Sequence, residues 1–127
     1  MTALVVDDVA VMRFILIDTL VRACGISKEN IREAENGEEA VEKYKELAST
    51  IVFLDITMSD MDGIEVVKKI IKIDPEATIV MHTSSSDEED VRICLEAGAK
   101  AYLLKPPNPE KIAEVVEKVT GQNVRKK

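Results

Sequence analysis

Acidic side chains follow two apolar runs of this sequence, at the point where each run ends. Asp7 and Asp8 follow Ala3–Val6, and Asp55 follows Ile51–Leu54. If these runs are neighbouring parallel strands, the three carboxylates meet at one edge of a sheet. Two carboxylates about 4 Å apart repel by roughly 4 kcal/mol at an effective dielectric of about 20, so such a cluster must take up protons or recruit a cation. A hard divalent ion with oxygen ligands, above all Mg²⁺, is the expected occupant.

A hydroxyl and an ammonium group follow two further apolar runs. Thr83 comes directly after Thr78–His82, and Lys105 comes directly after Ala101–Leu104. Together with the carboxylates, these groups suit a phosphoryl group bound to a carboxylate, since a metal and a lysine neutralise its oxygens and the hydroxyl donates a hydrogen bond. A single aspartate after a strand is usually a turn residue or a helix cap. Functional groups at the ends of four of five runs favour a phosphoryl site instead.

The elements that position these groups alternate along the chain. The predicted strands are Ala3–Val6, Asn30–Glu35, Ile51–Leu54, Thr78–His82 and Ala101–Leu104. The predicted helices span Val11–Cys24, Glu38–Leu47, Ile64–Ile73, Glu88–Ala97 and a last helix that starts within Pro106–Pro109. This alternation implies an α/β fold, in which a parallel sheet carries helices on both faces. The polar second strand is expected at an edge of the sheet.

Helical spacing also predicts which side chains face the core. The predicted inner residues are Val11, Met12, Ile15, Leu16, Thr19 and Leu20 in the first helix, Ala40, Val41, Tyr44 and Leu47 in the second, and Ile112, Val115, Val116 and Val119 in the last. The only histidine, His82, is expected to be partly buried with its ring hydrogen-bonded. Cys24 and Cys94 are expected to be buried, reduced thiols.

Composition limits the class of protein. The 127 residues include 17 basic and 24 acidic side chains, for a formal charge of −7, and 46% are hydrophobic. This is typical of a single globular domain. The acidic balance and the four aromatic residues argue against a nucleic-acid partner. No apolar run is long enough to span a membrane, and the N-terminus lacks the pattern of a signal peptide, so a cytoplasmic protein is expected.

The motifs around these residues resemble those of receiver domains of two-component signalling, the response-regulator family, and in particular its single-domain chemotaxis-regulator (CheY-like) type. They are Val6-Asp7-Asp8 with Met12-Arg13, Leu54-Asp55-Ile56-Thr57-Met58 leading to Asp62-Gly63, Thr83-Ser84, and Tyr102-Leu103-Leu104-Lys105-Pro106. The resemblance covers nearly the whole chain, and the predicted receiver domain spans residues 1–121. Residues 122–127 are predicted to form a polar tail, and the polar sequence from Gly121 onward is expected to be frayed. The resemblance also implies a flavodoxin-like (βα)5 three-layer sandwich with strand order 2-1-3-4-5, for which CheY is a known example.

The resemblance assigns roles to the residues of the acidic cluster. It implies that Asp55 is the phosphoacceptor. Asp8, Asp55 and the backbone carbonyl of Thr57 are expected to bind Mg²⁺, with Asp7 assisting through water. Lys105 is expected to pair with the phosphoryl oxygens, and the Lys105-Pro106 bond is often cis in this family.

Two further residues are implied to form the switch. Thr83 is expected to hydrogen-bond the phosphoryl group, and Tyr102 to turn inward as Thr83 moves. The sequence also departs from the family pattern. Ser59 replaces a common proline and is expected to loosen its loop, His82 replaces an aliphatic residue, and Pro107 is expected to stiffen the start of the last helix.

The implied function is that of a stand-alone response regulator, a signalling protein rather than an enzyme. A sensor histidine kinase is expected to phosphorylate Asp55, and the signal is expected to leave by phosphorylation-dependent protein binding, because no output domain follows the last helix. The expected target is a flagellar motor switch protein in chemotaxis. The alternative is a phosphorelay carrier that passes the group to a histidine phosphotransfer protein.

Two other classes of protein share parts of this pattern. Phosphatases of the haloacid-dehalogenase type need a second aspartate two residues after the nucleophile, where this chain has Thr57. FMN binders with this architecture need a loop rich in Ser, Thr and Gly after the first strand. Here that loop opens with Asp7 and Asp8, which repel a phosphate in the absence of a metal.

Overall fold

Alternating strands and helices build the chain, as its sequence predicts. The computed structural model describes residues 1–125. Within them the strands are β1 (Ala3–Val6), β2 (Ile31–Ala34), β3 (Ile51–Leu54), β4 (Ile79–Thr83) and β5 (Ala101–Leu104). The α-helices are α1 (Ala10–Cys24), α2 (Gly37–Glu46), α3 (Gly63–Ile73), α4 (Glu88–Ala97) and α5 (Pro109–Thr120), and a short 3₁₀ turn covers Lys28–Asn30.

The five strands form one parallel sheet in the order β2-β1-β3-β4-β5, which confirms the expected strand order and the edge position of β2. In the register of the sheet, Val6 of β1 lies beside Leu54 of β3. Asp7 and Asp55 follow these two residues directly. The pairing of β1 with β3 therefore brings the two aspartates to the same edge of the sheet.

Two hydrophobic cores lie on opposite faces of the sheet. One contains Leu4, Val52 and Met81 from the strands, and α2, α3 and α4 cover it. The other contains Val5 and Phe53, and α1 and α5 cover it. The arrangement is the predicted three-layer sandwich. The continuous apolar runs of β1 and β3 arise because both faces of these central strands are buried.

Side chains set the start of four helices. The side chains of Asn36, Asp62, Asp87 and Asn108 accept hydrogen bonds from backbone N–H groups in the first turns of α2, α3, α4 and α5. Because these residues lie outside the helices as caps, α2 and α3 begin at glycines, one residue before the predicted starts. The last helix begins at Pro109, a position that a proline tolerates well.

The predicted inner faces of α1 and α2 are wrong at three residues. Val11 is 61% exposed, Ile15 39% and Leu47 59%. The buried residues of α1 centre on Leu16 and Leu20. At about 100° of rotation per residue, Val11 and Ile15 point well away from that direction. Leu47 has extended backbone angles beyond the last turn of α2, so it leaves the helical pattern.

The C-terminal tail folds back on α5 over its described part. The carboxylate of Glu117 accepts hydrogen bonds from the backbone N–H groups of Val124 and Arg125, and it pairs with the Arg125 guanidinium. Residues 122–125 were expected to be frayed, but these bonds hold Val124 against the core beneath α5. Residues 126 and 127 of the predicted tail lie outside the described residues.

The helices of residues 1–125 are shorter than the hydrophobic thickness of a lipid bilayer requires. The longest, α1, has 15 residues. None of the helices described is both long and apolar enough to cross a membrane.

Candidate functional site

Three carboxylates converge at the carboxyl end of the sheet. One oxygen from each of Asp7, Asp8 and Asp55 lies within 4.8 Å of the others. Asp7 and Asp55 are only 4% and 6% exposed, whereas Asp8 is open to solvent. The site therefore combines two buried charges with one at its rim.

Lys105 joins the two buried carboxylates. Its Nζ lies 2.5 Å from Oδ2 of Asp7 and 2.9 Å from Oδ2 of Asp55. Burial by itself would lower the pKa of Lys105, but the hydrogen bonds to the two aspartates outweigh burial and raise it. The ammonium group therefore stays charged and balances part of the negative charge of the site.

The backbone of Lys105 is hydrogen-bonded to Thr83, the predicted switch residue. The N–H of Lys105 donates to the carbonyl oxygen of Thr83 at 2.8 Å, and the Lys105–Pro106 bond is cis. Thr83 itself is the last residue of β4 and is buried. Tyr102 is partly buried, and its hydroxyl donates to the carbonyl of Ser85 at 2.7 Å. Tyr102 is thus bonded to the segment that joins β4 to α4, and Thr83 lies directly before that segment.

Arg13 supports the first acidic segment, a contact that the sequence analysis did not assign. Its Nη1 donates to the backbone carbonyl of Asp7 at 2.7 Å, and its Nε donates to Glu33 at 2.9 Å. The Asp7 carboxylate in turn accepts from the N–H of Val9 at 2.9 Å. These bonds restrain the turn between β1 and α1. They therefore hold the Asp7 carboxylate in position to contact Lys105.

The loop between β3 and α3 carries Asp55 and Thr57. The N–H of Thr57 donates to Oδ1 of Asp55 at 3.4 Å. The loop closes where the N–H of Gly63 donates to the carbonyl of Ile56 at 2.6 Å. A Cβ atom on Gly63 would lie 2.2 Å from the backbone oxygen of Asp55, so only glycine allows this approach. The Asp62-Gly63 motif is therefore explained by packing against the acidic residue.

His82 differs from its expected state. It is only 3% exposed, rather than partly buried, and its Nε2 has no hydrogen-bond partner among residues 1–125. Burial lowers the pKa of His82 to about 4, and the Lys105 charge adds to this effect, while Asp7 and Asp55 oppose it. The ring stands where the family pattern commonly has an aliphatic side chain.

The donor groups fit a magnesium ion. All three side chains offer hard carboxylate oxygens, the ligands that Mg²⁺ prefers. Three carboxylates and the Lys105 ammonium leave a formal charge of −2, which one divalent cation neutralises. The structure thus brings together four predicted residues, namely Asp7, Asp8, Asp55 and Lys105, and Thr57 joins them through its bond to Asp55.

Known proteins share this sequence and fold. The response regulator receiver domain family matches residues 3–117. The chemotaxis protein CheY of Thermotoga maritima is 44% identical over 92% of this chain and 95% of its own, and CheY of Bacillus subtilis is 42% identical over 91% and 93%. The crystal structure of the CheX–CheY–BeF3–Mg complex from Borrelia burgdorferi superposes with a TM-score of 0.79 at 34% identity, over 93% of this chain and 87% of that one. The chain therefore belongs to the response regulator receiver domain family.

Proposed function

We propose that this response regulator receives a phosphoryl group on Asp55 with the help of Mg²⁺ and signals by binding another protein. The observation that carries the proposal is the position of the Asp55 carboxylate, which lies against the Lys105 ammonium and beside two more carboxylates. A buried carboxylate of this kind is held in place for attack and is surrounded by groups that neutralise the incoming oxygens.

The proposed transfer uses Asp55 as the nucleophile. One of its oxygens forms a bond to phosphorus, while the bond from phosphorus to the donor imidazole nitrogen breaks. The electron pair of that bond leaves with the imidazole, which takes up a proton. Lys105 then pairs with a phosphoryl oxygen, since its Nζ already lies 2.9 Å from the acceptor carboxylate. Positioning and charge neutralisation supply most of the catalysis in such transfers.

The metal is proposed to be held by Asp8, Asp55 and the carbonyl of Thr57, with Asp7 assisting. When bound, Mg²⁺ neutralises phosphoryl oxygens and orients the group for in-line displacement. Asp8 is the exposed member of the cluster, so it faces the side from which a hydrated ion arrives. Asp7 is held by both Val9 and Lys105, which favours an assisting role for it.

The output is proposed to run through Thr83 and Tyr102. A phosphoryl group on Asp55 adds negative charge and new acceptor oxygens, which draw the Thr83 hydroxyl toward the site. Tyr102 then gives up its bond to Ser85 and moves inward. This changes the surface formed by α4, β5 and α5, where Leu95 and Leu104 are 44% and 50% exposed.

Chemotaxis is the proposed setting, because the relatives from Thermotoga maritima and Bacillus subtilis, which match most of this chain, are chemotaxis proteins. The phosphodonor is proposed to be a sensor histidine kinase, and the target a flagellar motor switch protein. The relative from Borrelia burgdorferi was crystallised with CheX, so this fold also binds partner proteins of other kinds. A phosphorelay role remains the second candidate. Binding of the phosphorylated chain to a motor switch protein favours the first, whereas transfer only to a histidine phosphotransfer protein favours the second.

Acetyl phosphate provides a direct test of the acceptor. The purified chain is incubated with acetyl phosphate and Mg²⁺, and its intact mass is measured. We expect the gain of one phosphoryl group in the wild type and in Asp18→Asn, which changes an exposed carboxylate on α1. We expect no gain in Asp55→Asn or in the presence of a chelator. An unchanged wild-type mass, or a gain that survives in Asp55→Asn, contradicts the proposal.

A further inference from the structure

The loop between β3 and α3 is fastened to a second helix by a residue that the family motifs do not include. Oδ1 of Asp60 accepts a hydrogen bond from the N–H of Gly37 at 2.8 Å, and Oδ2 accepts one from the N–H of Glu38 at 2.9 Å. Gly37 and Glu38 are the first residues of α2. We call this pair of bonds the Asp60 latch.

The latch completes the N-terminal end of α2. The first N–H groups of a helix have no partner within the helix, and they attract negative charge. The Asn36 side chain accepts a hydrogen bond from the N–H of Glu39 at 2.8 Å. Asp60 accepts hydrogen bonds from the two preceding N–H groups, those of Gly37 and Glu38. These bonds also lower the pKa of Asp60, so its carboxylate stays charged. Asp60 is not part of the cluster formed by Asp7, Asp8 and Asp55, so we treat it as a support of the loop rather than a metal ligand.

The neighbouring residue Met61 adds a packing contact at the same place. A Cβ atom on Gly37 would lie 2.4 Å from Cγ of Met61, so the absence of a side chain on Gly37 makes room for the methionine. Met61 also packs against the core beneath α2, α3 and α4. Charge and packing therefore hold the same stretch of loop on α2.

The latch lies close along the chain to the proposed metal site. Asp60 is three residues beyond Thr57, a stretch that spans at most about 11 Å. On the other side, Asp55 and Ile56 are fixed by the close approach of Gly63. Thr57 itself is exposed, whereas its neighbour Met58 packs in the core beneath α2, α3 and α4, so Ser59 and Asp60 form the exposed part of the stretch. Ser59, in the middle of the stretch, lacks the fixed backbone angle that the common proline of the family provides.

We propose that Asp60 is a positioning residue for the metal site: by bonding to Gly37 and Glu38, it holds in place the loop that carries Thr57, whose carbonyl is the proposed third ligand of the ion. The inference rests on the proposed function, because it concerns the ion that phosphoryl transfer to Asp55 requires. It accounts for the serine at position 59, since the latch restricts the loop in place of a proline. A loop ordered in advance loses less entropy when the ion binds.

Magnesium affinity tests this role without phosphorylation. We titrate the unphosphorylated chain with MgCl₂ by calorimetry and compare Asp60→Ala with Asn36→Ala. The second variant removes a cap from the same end of α2 but does not touch the loop. We expect Asp60→Ala to weaken Mg²⁺ binding by about tenfold, because residues that support metal ligands commonly change metal affinity by about 10- to 100-fold. We expect Asn36→Ala to leave the Mg²⁺ affinity unchanged.

Two further variants separate the latch from simple charge. Asp60→Asn keeps one acceptor oxygen and is expected to weaken Mg²⁺ binding less than Asp60→Ala. Ser59→Pro added to Asp60→Ala is expected to recover most of the affinity, because it restricts the same loop in another way. The loss in Asp60→Ala is expected to persist in 1 M salt, where exposed charges are screened beyond about 3 Å.

The outcomes distinguish the latch from the function on which it rests. Wild-type affinity in Asp60→Ala, an equal loss in Asn36→Ala, or a loss that vanishes in 1 M salt overturns the positioning role. A wild-type chain that binds no Mg²⁺ contradicts the proposed function instead. In that case amide exchange still tests the latch, since the amides of residues 57–61 must exchange faster in Asp60→Ala but not in Asn36→Ala.

Discussion

The buried imidazole of His82 makes the stability of this protein depend on pH. Burial holds the pKa of His82 at about 4, against 6.5 for a free side chain. Between these values the unfolded chain binds a proton that the folded chain does not bind. Protonation of His82 therefore costs no stability well above pH 6.5, and the free energy of unfolding falls as the pH is lowered from 6.5 toward 4. Among the groups around the ring, Lys105 strengthens this effect, whereas Asp7 and Asp55 weaken it.

The expected size follows from the two pKa values. Each pH unit inside the window changes the free energy of unfolding by at most about 1.4 kcal/mol, so the whole window corresponds to about 3 kcal/mol. Between pH 7 and pH 5 the expected loss is about 2 kcal/mol. This is a large part of the stability of a typical domain.

Urea unfolding of wild type and His82→Leu, at several pH values between 7 and 5 and with a chelator present, measures the effect. Leucine removes both the titrating ring and the unpartnered Nε2, so we expect the variant to be more stable by about 1 kcal/mol at pH 7. The difference in free energy of unfolding between the variant and the wild type should be about 2 kcal/mol larger at pH 5 than at pH 7. Met81→Leu, a buried neighbour on β4 without a titrating group, is expected to follow the wild-type slope.

The chain has a single histidine, so one imidazole resonance reports its protonation directly. We expect that resonance to titrate near pH 4 in the folded protein. Equal pH slopes for wild type and His82→Leu, or a midpoint near 6.5, would refute the reasoning that burial sets this pKa.

Three more predictions concern the site and the tail. Lys105→Met leaves the Asp7 and Asp55 carboxylates buried without their partner, and we expect a loss of about 3 kcal/mol in urea unfolding with chelator, part of which Mg²⁺ restores. Gly63→Ala forces a Cβ atom against the Asp55 backbone oxygen, so we expect a loss of more than about 2 kcal/mol and slower phosphorylation by acetyl phosphate; wild-type behaviour in both assays contradicts the close approach. Bonds from the tail hold the pKa of Glu117 at about 2, so we expect faster amide exchange at residues 124 and 125 in Glu117→Gln at constant pH. In the wild type we expect the protection of these amides, relative to their intrinsic exchange rate at each pH, to fall as the pH is lowered from 4.5 toward 2.

Much of the fold and of the site follows from local properties of the sequence. Alternating apolar runs and helical patterns are enough to predict a parallel sheet between helices, and the resemblance to receiver domains adds the strand order. Side chains that directly follow parallel strands must lie at one edge of the sheet. For this reason the sequence predicts that Asp7, Asp55 and Lys105 lie close together. In the structure Lys105 contacts both aspartates.

The tertiary structure alone decided how far the buried face of α1 extends and which polar groups from distant parts of the chain find partners. Val11 and Ile15 are as apolar as the buried residues of α1, and only the direction in which the helix meets the sheet leaves them exposed. Likewise, nothing in the sequence near position 60 indicates that Asp60 reaches the start of α2, 23 residues earlier in the chain. Periodicity reports which residues share a face, but contacts between distant segments depend on how the packed elements are oriented.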